Sequence, residues 1–282
     1  MNSTAIAILI VVLSGIISYL LGSINLSIII SNLIGKGDIR EYGSKNAGTT
    51  NTLRVLGKGP ALLVFIWDIL KGVLAVFFAR WITSKILGSN TDLFNYTYIA
   101  SIMISSLCVI LGHNYPAFFG FKGGKGVATS LGVILAIEWR IGLVCLAVGL
   151  VGIGIFQMVS VGSLIAAIEY PILVIVMGGH FDELFNVNKK IRLIYIVFSF
   201  VLSLMVLFRH KANIERIRNG TESKLKFKKT PEEKIQEEKE NLGIIQEEKN
   251  DSNEQETKEE IAEKVEEVKV NEPVKKGKKK SK

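Results

Sequence analysis

Long apolar runs alternate along the chain with short polar, glycine-rich segments, and this alternation organises the whole sequence up to about residue 222. A helix needs roughly 20 apolar residues to cross the hydrocarbon core of a bilayer. Runs of that kind lie near residues 5–30, 60–80, 96–112, 141–157, 159–179 and 191–208. A shorter run at 126–137 rises about 1.5 Å per residue as a helix and covers only part of the bilayer. It is therefore expected as a half-length helix packed inside the bundle. The pattern predicts an all-α polytopic integral membrane protein with seven transmembrane helices, one of them short. The first run has the position of a signal peptide, but residues 1–4 carry no Lys or Arg and no small-residue cleavage site follows, so it reads as a retained span.

Composition agrees. Of 282 residues, 49% are hydrophobic, and the mean hydropathy is +0.35, values that exclude an ordinary cytosolic enzyme. Residues 223–282 hold 16 of the 34 Lys and Arg and 16 of the 26 Asp and Glu, so the net charge of +8 sits entirely on the first 222 residues. Its basic groups are scattered between apolar runs, which argues against a nucleic-acid partner. They also set orientation, because short loops rich in Lys and Arg stay cytoplasmic. Seven spans put Lys36, Arg40, Lys45, Arg54, Lys58, Lys122, Lys125 and the basic residues after Phe208 on one side. The expected topology has the N-terminus outside and the C-terminus cytoplasmic, in the cell (inner) membrane. The loop around Lys189 to Arg192 runs against this rule.

Two domains follow: a membrane-embedded body at 1–222 and a charged cytoplasmic tail at 223–282. The tail alternates Glu-rich and Lys-rich pieces, cannot bury a core and is expected to be disordered. Its terminal lysines, Lys275 to Lys282, can touch anionic lipid; a plain solubilising role is the simpler reading. Cys108 and Cys145 both lie within apolar runs, so neither a disulfide nor a Cys-based metal site is supported.

Three polar clusters interrupt the hydrophobic chain, and the expected topology gathers all three on the cytoplasmic side. The first, residues 37–54, combines glycines with Ser44, Thr50, Asn51 and Arg54. Glycines let backbone N–H groups approach an anion, hydroxyls and amides add donors, and Arg adds a bidentate fork for phosphate. The second, residues 112–126, ends in Gly123, Gly124 and Lys125 at the start of the short helix, where the dipole favours a phosphate. Its spacing is not that of a Walker A loop, which disfavours nucleotide hydrolysis. The third, residues 209–222, sets His210 and Asn213 three apart on one helix face. Three histidines in all and no paired carboxylates argue against a metal site, and no cofactor is implied. Asp68 and Lys71, at i and i+3 inside the second long run, read as an internal ion pair that locks the bundle. Ser163, at the start of a span, can add a hydroxyl to the same site or bond its own helix. Glu169 is a further intramembrane acid with no evident partner.

These segments closely resemble the bacterial acyl-phosphate:glycerol-3-phosphate acyltransferases. The similarity rests on Asp38-Ile39-Arg40 to Gly43-Ser44, Asn46 to Lys58, Asp68 to Gly72, Gly112-His113 to Thr129 and His210 to Glu222, and the Phe-Lys-Gly-Gly-Lys-Gly-Val-Ala-Thr run is highly specific. The resemblance implies transfer of a fatty acyl group from acyl phosphate to the 1-hydroxyl of glycerol 3-phosphate, giving lysophosphatidic acid and phosphate in the first step of phospholipid synthesis. It assigns catalytic roles to Ser44, Asn51, Lys125, His210 and Asn213, and substrate binding to Arg54, Thr50 and Ser163; Gly123 and Gly124 join the substrate-binding set from their place at the helix N-terminus. Three positions depart from the family pattern: Lys45 stands for Gly, Thr49 for Ala and Asn25 for Pro. The rival class is a polytopic transporter, which would place its site near the midplane and show internal repeats; no repeat is visible here. A non-catalytic scaffold acting through the tail would lose function with residues 223–282, whereas an enzyme built on the three clusters would retain most activity.

Overall fold

A computed structural model describes residues 2–87, 92–185 and 189–225, with the backbone alone at 178–185, 189 and 190. The charged tail beyond Leu225, with its terminal lysines, lies outside the described residues. Every regular element among the described residues is helical: α1 Ser3–Ser23, α2 Leu26–Leu33, α3 Thr49–Leu56, α4 Lys58–Ile86, α5 Asp92–Asn114, α6 Val127–Ile137, α7 Trp139–Phe156, α8 Val159–Phe185, α9 Lys189–Arg209 and α10 Lys211–Arg218, with single 3-10 turns at Ile39–Glu41 and Ala117–Phe119.

Six stretches among the described residues are long and apolar enough to cross a membrane: Ser3–Leu33, Lys58–Ile86, Asp92–Phe119, Trp139–Phe156, Val159–Met177 and Ile191–Arg209. Each matches an expected run, and the 11-residue α6 is the expected short helix. One difference concerns the first run, which is broken after Ser23. The Asn25 side chain accepts from Ile28 N–H and so caps a new helix, α2. An amide at the N-cap position offers the backbone a local partner and starts a helix there.

The bundle is apolar outside as well as inside. Val76, Val109 and Val133 are fully buried, while Leu62, Ile66, Leu150, Ile155 and Leu204 stand exposed on the flanks. With lipid as solvent, burial of apolar groups no longer drives association, and close backbone approach through small residues takes over. Glycines mark those contacts. A side chain at Gly22 or Gly112 would strike the facing backbone of α5 or α1, one at Gly72 or Gly132 would do the same between α4 and α6, and one at Gly162 would strike α7. α6 is thereby pressed against the long helix α4. The expected Asp68–Lys71 ion pair is present at 2.8 Å, with both side chains almost fully buried. Glu169 Oε2 is buried without a hydrogen-bond partner among the described residues.

Candidate active site

The three polar clusters converge, and two arginines stitch them together through backbone carbonyls. Arg40 pairs with Asp38 at 2.5 Å and donates to the carbonyls of Phe119 (2.6 Å) and Lys122 (2.8 Å), tying the first cluster to the second. The hydrogen bond from the Arg40 guanidinium holds the Asp38 carboxyl below the usual carboxylate range. Arg209 donates to the Gly124 carbonyl at 2.7 Å and lies 5.0 Å from the Tyr115 ring centroid, tying the second cluster to the third.

Between them lies a cavity of about 630 Å³, bordered by Ser44, Thr50, Arg54, Asp68, His113, Lys125, Ser163, His210, Asn213, Arg216 and Glu222 among others. Two helix N-termini also border it. α3 begins after Gly48 and α6 after Gly126, and neither cap residue offers a side-chain hydrogen bond to the first turn. Their first-turn N–H groups and dipoles favour an anion. Arg54, in the last turn of α3, makes no ion pair or hydrogen bond among the described residues.

Lys125 Nζ donates to Asn213 Oδ1 at 2.6 Å, Asn213 Nδ2 donates to Glu222 Oε1 at 2.7 Å, and Arg216 Nε donates to Glu222 Oε2 at 2.7 Å. Burial pulls the Lys125 ammonium down to about 8, against the nearby Glu222 charge that supports it. Burial would raise the Glu222 carboxyl, yet hydrogen bonds from its neighbours, Asn213 and Arg216 among them, hold it below the ordinary value. His210 is also buried, and this pulls it down to about 4. Its Nδ1 lies 2.8 Å from the Val206 carbonyl, which can only accept, so Nδ1 carries the proton and Nε2 the free lone pair.

Of the ten residues expected in the site, seven line the cavity: Ser44, Thr50, Arg54, Lys125, Ser163, His210 and Asn213. Asn51, Gly123 and Gly124 stand behind the wall. The Asn51 amide is fully spent on the loop before α3: Oδ1 accepts from Ser44 N–H at 2.7 Å and from Ser44 Oγ at 3.2 Å, while Nδ2 donates to the Ile39 and Tyr42 carbonyls. It shapes the Ser44 loop and has no donor left for a ligand. Gly123 and Gly124 were expected to offer N–H groups, but these donate to the Asn114 and His113 carbonyls at 3.1 Å each. They are glycines because they pack closely on His113, where a Cβ would collide with its carbonyl or its ring. The Ser163 hydroxyl donates to the Val159 carbonyl of its own helix at 2.8 Å.

Glu222 and Arg216 are site residues that reasoning from sequence did not single out. Their signal was available only as charged residues spaced six apart after the last span. Lys45 has φ +56°, a left-handed conformation that suits the glycine expected there.

Beside the polar cavity lies an apolar groove of about 160 Å³, lined by Leu131, Leu146, Leu150, Ala166, Tyr170 and Leu202 among others. The two share Phe65, Val127, Ala128, Val159 and Ser163.

Comparison with known proteins agrees with this architecture. The sequence pattern of the family described as Glycerol-3-phosphate acyltransferase matches residues 12–220. The glycerol-3-phosphate acyltransferase of Clostridioides difficile (strain 630) is 41% identical over 218 residues, covering 77% of this chain and 97% of the relative. That of Thermoanaerobacter pseudethanolicus (strain ATCC 33223 / 39E) is 40% identical over 214 residues, covering 76% and 95%. The crystal structure of PlsY (YgiH), an integral membrane glycerol 3-phosphate acyltransferase, in its glycerol 3-phosphate form superposes with a TM-score of 0.61 at 34% identity, over 77% of this chain and 96% of that one. Its lysophosphatidic acid form superposes with a TM-score of 0.58 at 34% identity, over 76% and 94%. The chain belongs to the glycerol-3-phosphate acyltransferase family.

Proposed function

We propose that this membrane acyltransferase moves a fatty acyl group from acyl phosphate to the 1-hydroxyl of glycerol 3-phosphate, releasing lysophosphatidic acid and inorganic phosphate. The observation that carries the proposal is a cavity with two separate anion-friendly walls, each an open helix N-terminus with its own cation, joined to an apolar groove. Arg54 and the start of α3 form one wall, Lys125 and the start of α6 the other. One cavity can thus hold two phosphates side by side, while the groove takes the acyl chain.

Acyl phosphate carries a good leaving group, so the protein chiefly has to position the reactants and stabilise charge on the carbonyl oxygen. His210 Nε2 accepts the hydrogen bond of the attacking hydroxyl and orients it. As the new C–O bond forms, the bond from acyl carbon to phosphate oxygen breaks, and the hydroxyl proton leaves on the released phosphate. Ser44 Oγ faces the Asn51 amide oxygen and, among the described residues, hydrogen-bonds to no base that would activate it, which favours direct transfer over an acyl-Ser44 intermediate. Acylated Ser44, found by mass spectrometry after incubation with donor alone, would overturn that.

The strongly basic ends of the spans favour an orientation with the cavity on the cytoplasmic side, the N-terminus outside and α6 as a seventh, half-length membrane helix. The test of function is phosphate release by the purified protein given palmitoyl phosphate. Release should depend on glycerol 3-phosphate and fall by about tenfold to a hundredfold in Arg54→Ala, with unchanged thermal unfolding. Acceptor-independent release, or none, would sink the proposal and favour the transporter reading.

A further inference from the structure

We propose that Asp68, Lys71 and His113 are positioning residues for acyl transfer: a buried charged cluster that seats the Gly123–Gly124 strand and thereby aims Lys125 into the cavity. The inference rests on the reading of Lys125 as a phosphate-binding cation.

The three residues are 3%, 0% and 4% exposed. Lys71 Nζ lies 2.8 Å from Asp68 Oδ1 and 2.8 Å from His113 Nδ1, and Asp68 Oδ1 lies 3.2 Å from His113 Nδ1. The same ammonium donates to the carbonyls of Gly22 (3.2 Å) and Ile24 (3.4 Å), which the break between α1 and α2 leaves without helical partners. One lysine therefore joins α4, α5 and the end of α1 at a single point.

From that point the connection to Lys125 is short. The His113 carbonyl accepts the Gly124 N–H, and the His113 ring lies so close to Gly124 that it leaves no room for a Cβ. On its other side the Gly124 carbonyl is held by Arg209. Gly124 is thus clamped between an imidazole and a guanidinium, and the next residue is Lys125.

Stability alone is a poor reason for such a cluster, because well-packed apolar side chains often replace a buried ion pair without loss. Geometry is a better one. Asp68 borders the cavity, where a lone carboxylate would repel a phosphate, and the Lys71 ammonium cancels its charge. Asp68 Oδ1, His113 Nδ1 and the Lys71 ammonium are engaged with one another, so the cluster acts on the reaction through the strand it seats.

The test is a double-mutant cycle. Asp68→Asn/Lys71→Met removes the ion pair without leaving a lone buried charge, and Lys125→Gln removes the cation it is argued to aim. Each is purified in detergent and assayed for kcat and KM with palmitoyl phosphate and glycerol 3-phosphate, beside its unfolding temperature. Lys125→Gln alone tests the underlying reading: an unchanged rate overturns the role of Lys125, and the proposal with it. If that role stands, the paired variant should lower kcat/KM about tenfold or more while staying folded, and cost less than about twofold in the Lys125→Gln background. Equal losses in both backgrounds, or a loss that simply follows the folded fraction, would assign the cluster to stability alone. Should the paired variant not fold, His113→Asn, which keeps the Asp68–Lys71 pair, carries the same cycle. Failure of both to fold overturns the proposal.

Discussion

Lys125 and Asn213, 88 positions apart, meet through a single 2.6 Å hydrogen bond in which the ammonium donates to the amide oxygen. The amide nitrogen is in turn held by Glu222, so the amide cannot flip to present its donor to Lys125. The last polar segment of the body thereby orients a cation from its middle. With two of its hydrogens unspent among the described residues, Lys125 remains able to bind an anion.

Protonation of that cation should be visible in the pH profile. Burial lowers Lys125 from 10.5 to about 8, so its charge is complete well below pH 8 and is lost as pH rises through that value. His210, lowered to about 4, stays neutral over the same range. We expect kcat/KM to fall above about pH 8. Lys125→Arg, whose guanidinium does not titrate there, should move that alkaline limb upward by more than about one pH unit; coincident limbs would exclude Lys125 as their source.

Asn51→Ala should be severe although the side chain never reaches the cavity. It removes four hydrogen bonds to the loop at residues 39–44 and leaves the buried Ile39 carbonyl unpaired at about 1–3 kcal/mol. The expected result is a lower unfolding temperature together with loss of phosphate release. Normal stability with lost activity would instead point to direct contact with substrate.

The apolar architecture was legible in the sequence because span length is set by bilayer thickness: six of the seven runs became single helices, and the first broke into α1 and α2. So was the convergence of three polar clusters, since alternating spans return every second loop to the same side. The stitching was not. Arg40 and Arg209 look like ordinary positive-inside residues, and their partners are backbone carbonyls about 80 positions away, which leave no mark in residue type or spacing. Gly123 and Gly124 misled for a related reason. A glycine required for close packing and one required to expose an N–H are the same letter, and only the position of the His113 ring tells them apart.

Two glycines four residues apart therefore predict opposite outcomes. Gly124→Ala would drive a Cβ into the His113 ring and the Ala47 carbonyl, and should abolish phosphate release. Gly120→Ala meets no atom and adds only the cost of φ +64°, about 1 kcal/mol, so activity should remain near wild type. Equal activity of the two variants would mean that the Gly124 clamp is dispensable.

Lys45→Gly offers a gain. Relief of the left-handed conformation at φ +56° should stabilise the protein by about 0.5–1 kcal/mol, read as a higher unfolding temperature in detergent with phosphate release retained. A decrease would indicate that the Lys45 side chain contributes contacts that outweigh its backbone strain.

The groove beside the cavity reaches the lipid-facing flank at Leu150, which is 57% exposed. In the proposed reaction this makes the catalyst a resident of two solvents at once. The fatty donor arrives by lateral diffusion and never enters bulk water, while the acceptor comes from the aqueous side. Donor saturation should then follow its mole fraction in the bilayer or micelle, so that adding inert detergent at constant total donor slows the enzyme by surface dilution. The apparent affinity for glycerol 3-phosphate should be indifferent to the same addition.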